Sequence, residues 1–241
     1  MISPPLALPA TVEERITGWI RIQEAQRRRA RPKPPGPTIT LSRQFGCEGF
    51  PLCLLLKEQL EAASQEPWTI FDRALIERVA ADSGLTRQLF SDLGDDTRIL
   101  EQLGFHPRGA LTSSEAFRKV ALCIARIARD GHAIIMGRGG AILSAGLANA
   151  YHFRLVAGLD WRVASLARRA QLTQAAAAQM VKKQGKLRAR FIYDALGADV
   201  EDPRYYDALF NNERHPVPVI AAAIVAYISR NEGIDFISNR K

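Results

Sequence analysis

A chain of 241 residues, 47% hydrophobic and 24% charged, has room for one α/β domain of about 200 residues and a small appendage, and is too apolar for wholesale disorder. No apolar run approaches the ~20 residues that span a bilayer, and Met1 to Thr11 lacks a basic region followed by a sustained apolar one, so a cytoplasmic protein is expected. The net charge of +8 is uneven: Arg162 to Arg190 holds eight basic residues and no acid, and Arg21 to Lys33 holds six against Glu24, which favours polyanionic partners.

In chain order, Thr11 to Ala30 predicts a helix, with Thr11 as N-cap, Glu14 as its capping-box partner and Ile16, Trp19 and Ile20 on one apolar face. That face has two candidate partners, the chain's own core and a second copy, so a homo-oligomer through this helix is one expectation. Four prolines between Arg31 and Pro37 remove backbone donors and fix φ, so the stretch reads as a stiff linker. The predicted organisation is therefore a helix and linker over 1–37, a core over 38–230 with an insertion about 72–130 and a basic lid about 162–200, and a tail over 231–241.

Beyond the linker, short apolar runs alternate with helical periods. Strands are predicted at 39–42, 68–71, 133–136, 152–156 and 208–211, and helices at 49–63, 73–82, 114–129, 161–170, 173–190 and 217–229. This alternation predicts a mainly parallel sheet covered on both faces. The run Ala133 to Met136 is continuously apolar, as a strand buried on both faces requires. Residues 85–113 are polar and broken, and predict short helices and loops. Cys47, Cys53 and Cys123 are odd in number and lack CxxC spacing, which predicts reduced thiols; His106, His132, His152 and His215 never pair at ligand spacing, so no metal cage is expected.

Open α/β sheets bind ligands at the first βα turn, which here spans Thr38 to Leu52. Gly46 and Gly49 lie between strand and helix, where backbone N–H groups can meet an anion at the helix N-terminus. Against GxxxxGK[ST], the register that fits Gly49 puts Gln44 on the first glycine, Phe50 on the lysine and Pro51 on the Ser/Thr. Phe50 cannot neutralise phosphate, Pro51 offers no hydroxyl to Mg²⁺, and Glu48 adds a negative charge.

The run ITLSRQFGCEGFPL nevertheless resembles the strand and loop of the cytidylate kinase-like family. The resemblance continues through Phe71-Asp72-Arg73, Ile134 to Gly140, and Asp202-Pro203-Arg204-Tyr205-Tyr206-Asp207, in order from about 38 to 229. It implies a P-loop NTPase-like three-layer α/β/α fold with a five-stranded parallel sheet of order 2-3-1-4-5, an acceptor-binding insertion and an Arg-rich lid. It implies phosphoryl transfer from ATP, with Mg²⁺, to CMP or a related monophosphate. By the same resemblance Ser42, Gly46, Cys47, Glu48, Gly49 and Phe50 occupy the nucleotide loop, and Asp72, Arg73 and Arg138 the acceptor side. Arg43 is the candidate to stand in for the lysine, and Arg162, Arg169 and Arg190 are the lid cations. This chain has Cys47-Glu48-Gly49 where the family has Ser-Gly-Gly, and such transfer depends on positioning and charge neutralisation. A non-catalytic nucleotide-binding protein is therefore the alternative; nucleic acid is disfavoured because the basic segment lacks interleaved aromatics.

Overall fold

The computed structural model describes residues 10–27, 35–82 and 115–233. Its elements are α1 (Val12–Arg27), β1 (Thr38–Arg43), α2 (Gly49–Ser64), β2 (Thr69–Phe71), α3 (Arg73–Ala81), α4 (Glu115–Asp130), β3 (Ala133–Met136), α5 (Gly140–Leu143), β4 (Ala150–Val156), α6 (Leu159–Ala170), α7 (Gln174–Leu196), a 3-10 turn (Pro203–Tyr205), β5 (Ala208–Asn211) and α8 (Val217–Glu232). Among the described residues the strands form one parallel sheet of order β2-β3-β1-β4-β5, as the resemblance implies. The expected loops over 85–113 lie outside the described residues.

β1 is central, with Thr38 level with Ala133 of β3 on one side and Ala150 of β4 on the other. Strand periodicity divides its side chains between two cores. Ile39 and Leu41 join Ile134, Met136, Phe153, α2 and α8 in one, while Ala133 and Ile135 join α1, α3 and α4 in the other. Thr38 and Thr40 are buried but satisfied: Thr38 Oγ1 donates to the Ala128 carbonyl at 2.8 Å, and Thr40 Oγ1 lies 2.8 Å from His152 Nδ1.

The capping box predicted for α1 is present, with the Thr11 amide donating to Glu14 Oε2 at 2.8 Å and the Glu14 amide donating to Thr11 Oγ1 at 3.2 Å. The apolar face is covered by the chain's own core: Ile16 and Trp19 are buried, and Trp19 meets Phe71 edge to face at 5.6 Å. The surface on which the oligomer expectation rested is therefore occupied within one chain. Asn149 Nδ2 donates to the Gly36 carbonyl at 2.9 Å, and the His132 amide to the Pro37 carbonyl at 2.8 Å, tying the linker's end to the sheet.

The basic helix runs past Arg190, where its basic residues stop, to Leu196, and closes on Gly197 at φ 63°. It continues because Phe191, Ala195 and Leu196 extend its apolar face onto the core shared with α1, α3 and α4. No described helix is long and apolar enough to cross a membrane.

Candidate functional site

The first βα turn is clamped by guanidinium groups donating to its carbonyls. Arg162 of α6 donates through Nη1 to the Phe45 carbonyl at 3.3 Å and through Nε to the Ala157 carbonyl at 3.0 Å. Arg169, one helical face further, donates to the carbonyls of Gly46 and Cys47. Gly46 has φ 102°, and a Cβ there would lie 2.7 Å from the Arg162 carbonyl oxygen, so this approach requires glycine. The Glu48 amide donates to Asn212 Oδ1 at 2.8 Å, and its carboxylate faces Arg168 at 3.9 Å. Cys47 is buried, and burial pushes its thiol up to about 11, against the pull of Arg162 and Arg169. Phe50 packs on the core shared by Ile39, Leu41, α2 and α8 instead of projecting from the turn.

Beside this turn, at the carboxyl ends of β1, β3 and β4, lies a cavity of about 720 Å³ roofed by α7. Its wall takes Ser42 to Phe45 from the turn, whereas Gly46 to Phe50 lie outside the described lining. Six arginines line it, Arg43, Arg73, Arg138, Arg154, Arg162 and Arg188, against two described acids, Glu77 and Glu201. Each comes from a different element, and a formal surplus of four positive charges results.

Arg43 ends β1, and its side chain runs between the start of α2 and the turn after β3. A Cβ on Gly49 would lie 3.4 Å from Arg43 Cδ, and one on Gly137 would lie 2.5 Å from Arg43 Nη1. Burial lowers the pKa of Arg43, with Cys53 and Asp72 among the groups pulling it back. Arg138 stands between Gly137 and Gly139, all three in left-handed backbone at φ 80°, 55° and 74°. The turn aims its guanidinium over the Phe191 ring at 4.8 Å, where Nη2 donates to the Glu77 carboxylate and Nε is buried without a described partner. Burial, then Arg73, lowers the pKa of Arg138 to about 10.

Arg188 stacks on Phe45 at 4.6 Å. Its pKa is lowered to about 9, first by burial and then by Arg43, Arg138 and Arg73. Arginine keeps its proton at neutral pH regardless; the depression reflects desolvation first and repulsion from the neighbouring arginines second, and a bound anion would relieve the repulsion. Arg154 is 3% exposed; it donates through Nη1 to Ser42 Oγ at 2.8 Å and through Nη2 to Glu201 at 3.2 Å, beside the Tyr206 ring.

The residues singled out in the sequence thus separate into four groups, with Asp72 outside the described lining of the cavity. Ser42, Arg43, Arg73, Arg138 and Arg162 meet at the cavity. Gly46, Cys47, Glu48, Gly49, Phe50 and Arg169 build the adjoining turn. Arg190 lies on the outer face of α7, its side chain 81% exposed and paired with Asp194, and Lys182 and Lys186 are exposed with it. Asp72 accepts two hydrogen bonds from Arg15 of α1 and caps α3 through the Leu75 amide. Sequence reasoning missed Arg154, Arg188, Glu77 and Tyr206 as members of the cavity. The available signals were a lone arginine inside the apolar strand run HFRLV, and Arg188 and Phe191 spaced three apart on one helix.

Magnesium asks for several oxygen ligands in octahedral array. Glu77 and Glu201 are both engaged by arginines and Ser42 Oγ accepts from Arg154, so the described wall does not fit a protein-held Mg²⁺. Among the described residues no group of three or more His, Cys, Asp or Glu is placed to hold a metal.

Comparison with known proteins agrees with the fold. A solved structure of an uncharacterized protein from Eubacterium ventriosum ATCC 27560 superposes with a TM-score of 0.59 at 18% identity, covering 80% of this chain and 98% of that one, a likeness of fold. No curated protein matches. The model of the cytidylate kinase-like family matches residues 38–214, which hold every strand of the sheet and all six cavity arginines, and the chain belongs to that family.

Proposed function

We propose that the chain binds a nucleoside phosphate with its phosphate groups in the arginine-lined cavity. The observation that carries this reading is the convergence of Arg43, Arg138 and Arg188, each with its pKa lowered first by burial, in a wall that holds only two described acids. Guanidinium groups are planar forks suited to phosphate oxygens, and a partly desolvated cavity strengthens each contact. Phe45, Phe191 and Tyr206 give the same wall flat apolar surfaces beside the charges, where a base can rest.

A second reading, phosphoryl transfer from ATP to CMP or a related monophosphate, is favoured by the course of Arg43. Its side chain passes from the start of α2 to Gly137, between the turn that would hold the donor and the turn that would hold the acceptor. A cation there meets the charge developing on a transferred phosphoryl group. Isothermal titration with CMP, UMP, AMP, GMP and ATP at about 50 and 200 mM salt tests binding: micromolar affinity that weakens with salt is expected. Lack of heat or thermal stabilisation with every nucleotide refutes it. A coupled ADP-release assay with ATP, Mg²⁺ and each monophosphate then separates the readings, since acceptor-dependent turnover belongs to the second alone.

A further inference from the structure

We infer that Arg15, on the helix preceding the family-matched segment, is a positioning residue for the cavity, holding the Asp72 carboxylate neutralised where it caps the first turn of α3. This inference rests on the cavity being a phosphate site. The contact is bidentate: Arg15 Nη1 donates to Asp72 Oδ2 at 3.0 Å and Nη2 to Oδ1 at 2.8 Å, with Nη2 also donating to the Ile70 carbonyl at 3.1 Å. Both side chains are only 12% exposed, so the pair is not a solvent-weakened surface bridge.

Asp72 bears on the cavity by two routes. The first is mechanical. Asp72 Oδ1 also accepts the Leu75 amide at 2.9 Å and so caps α3. The next residue, Arg73, lines the cavity, and Glu77 in the same helix engages Arg138. This cap, which asparagine would keep, holds the helix that carries Glu77 to Arg138, so what the ion pair itself adds is the cancelled charge. Packing of Ile16 and Trp19 against the core holds Arg15 in place.

The second route is electrostatic. Asp72 directly follows β2, which is next but one in the sheet to β1, whose end carries Arg43. An unpaired carboxylate there would offset Arg43 and repel an incoming phosphate. Arg15 cancels that charge without drawing on any of the cavity arginines. The matched family segment begins at residue 38, so this neutralisation is supplied by a segment outside it.

The test uses the full-length chain and the variants Arg15→Gln, Asp72→Asn and Arg15→Gln with Asp72→Asn. Asparagine keeps an oxygen for the Leu75 amide and removes only the charge. Circular dichroism and melting temperature are recorded for each, and affinity is measured by titration with CMP and with inorganic pyrophosphate. Arg15→Gln is expected to weaken both ligands about three- to tenfold. Asp72→Asn is expected to bind at least as tightly as the parent, and the double variant to recover to within about twofold of it, although it too lacks the ion pair. A double variant as weak as Arg15→Gln, or parental affinity in Arg15→Gln, overturns the inference. If Arg15→Gln does not fold, Asp72→Asn decides, since a fall in its affinity contradicts a neutralising role for Arg15. Failure of the parent chain to bind either ligand overturns the phosphate-site reading and this inference with it.

Discussion

Replacing Gly137 with alanine perturbs Arg43 without touching its charge. The new Cβ would lie 2.5 Å from Arg43 Nη1 and 3.7 Å from Cζ, in backbone at φ 80°. Left-handed backbone costs a non-glycine residue about 1–2 kcal/mol. The collision is with the tip of a flexible side chain, so it relaxes by swinging the guanidinium aside and adds little to that cost. At ~2–4 °C per kcal/mol for a chain of this size, the melting temperature should drop by about 2–8 °C and the fold should persist. Affinity responds more strongly, because a hydrogen bond from a charged donor is worth about 1.5–3 kcal/mol. Titration with CMP should therefore show binding weakened roughly ten- to a hundredfold. Gly139→Ala is the matched control: its φ is 74° and its Cβ would meet the tip of Leu196, so the backbone cost is similar while Arg43 is undisturbed. The reasoning fails if Gly137→Ala binds CMP as tightly as the parent, or if Gly139→Ala loses as much.

Other consequences follow from burial and from which way each side chain faces. Arg188→Ala should weaken CMP about tenfold, whereas Arg190→Ala should stay within about twofold, because Arg190 is 81% exposed and paired with Asp194 one turn away. Trp19→Ala, which empties a site 6% exposed against Phe71, should cost about 3–4 kcal/mol in denaturant unfolding; a cost below about 1 kcal/mol would mean that α1 is not docked in solution. Burial raises the thiols of Cys47 to about 11 and Cys53 to about 12, and Cys123 is fully buried. Iodoacetamide at pH 8 should therefore label native protein at least about a hundredfold more slowly than unfolded protein, as read by mass spectrometry; rapid labelling of Cys47 would show that the turn opens.

The sheet was legible because its signals are local and agree with one another. Ala133 to Met136 can be a strand buried on both faces on apolarity alone, and Gly46 and Gly49 punctuate the change from strand to helical period. Thr11 and Glu14 announce the start of α1. Where boundaries slipped, a competing force explains it. The basic run of α7 predicts a helix ending at Arg190, but Phe191, Ala195 and Leu196 carry its buried face on to the glycine cap. The landing place of α1 was not legible. An apolar stripe of Ile16, Trp19 and Ile20 states that a partner is needed and leaves its identity to the tertiary structure, as does a lone Asp72 whose carboxylate is met from fifty-seven residues away.

The site was harder to read because clustered charge in sequence and clustered charge in space have opposite physical origins. Basic residues crowded on one helix repel one another and are cheapest when solvated, so Lys182, Lys186 and Arg190 face outward although they form the most conspicuous basic run. A cavity that gathers like charges must instead draw them singly from separate elements, each carried by apolar or aromatic neighbours that offset its desolvation. Arg154 lies between Phe153 and Leu155, Arg188 leans on Phe45, and Arg138 rests on Phe191. In sequence Arg138 and Arg154 are isolated arginines and Arg188 is one member of the basic run, and only the parallel order of the sheet brings the ends of β1, β3 and β4 together. The most informative sequence signal for such a site is therefore a solitary arginine where the hydrophobic period calls for an apolar residue. Arg154 meets that description, and Arg154→Met should accordingly fold with little loss while releasing Ser42 and Glu201 from its forked hold.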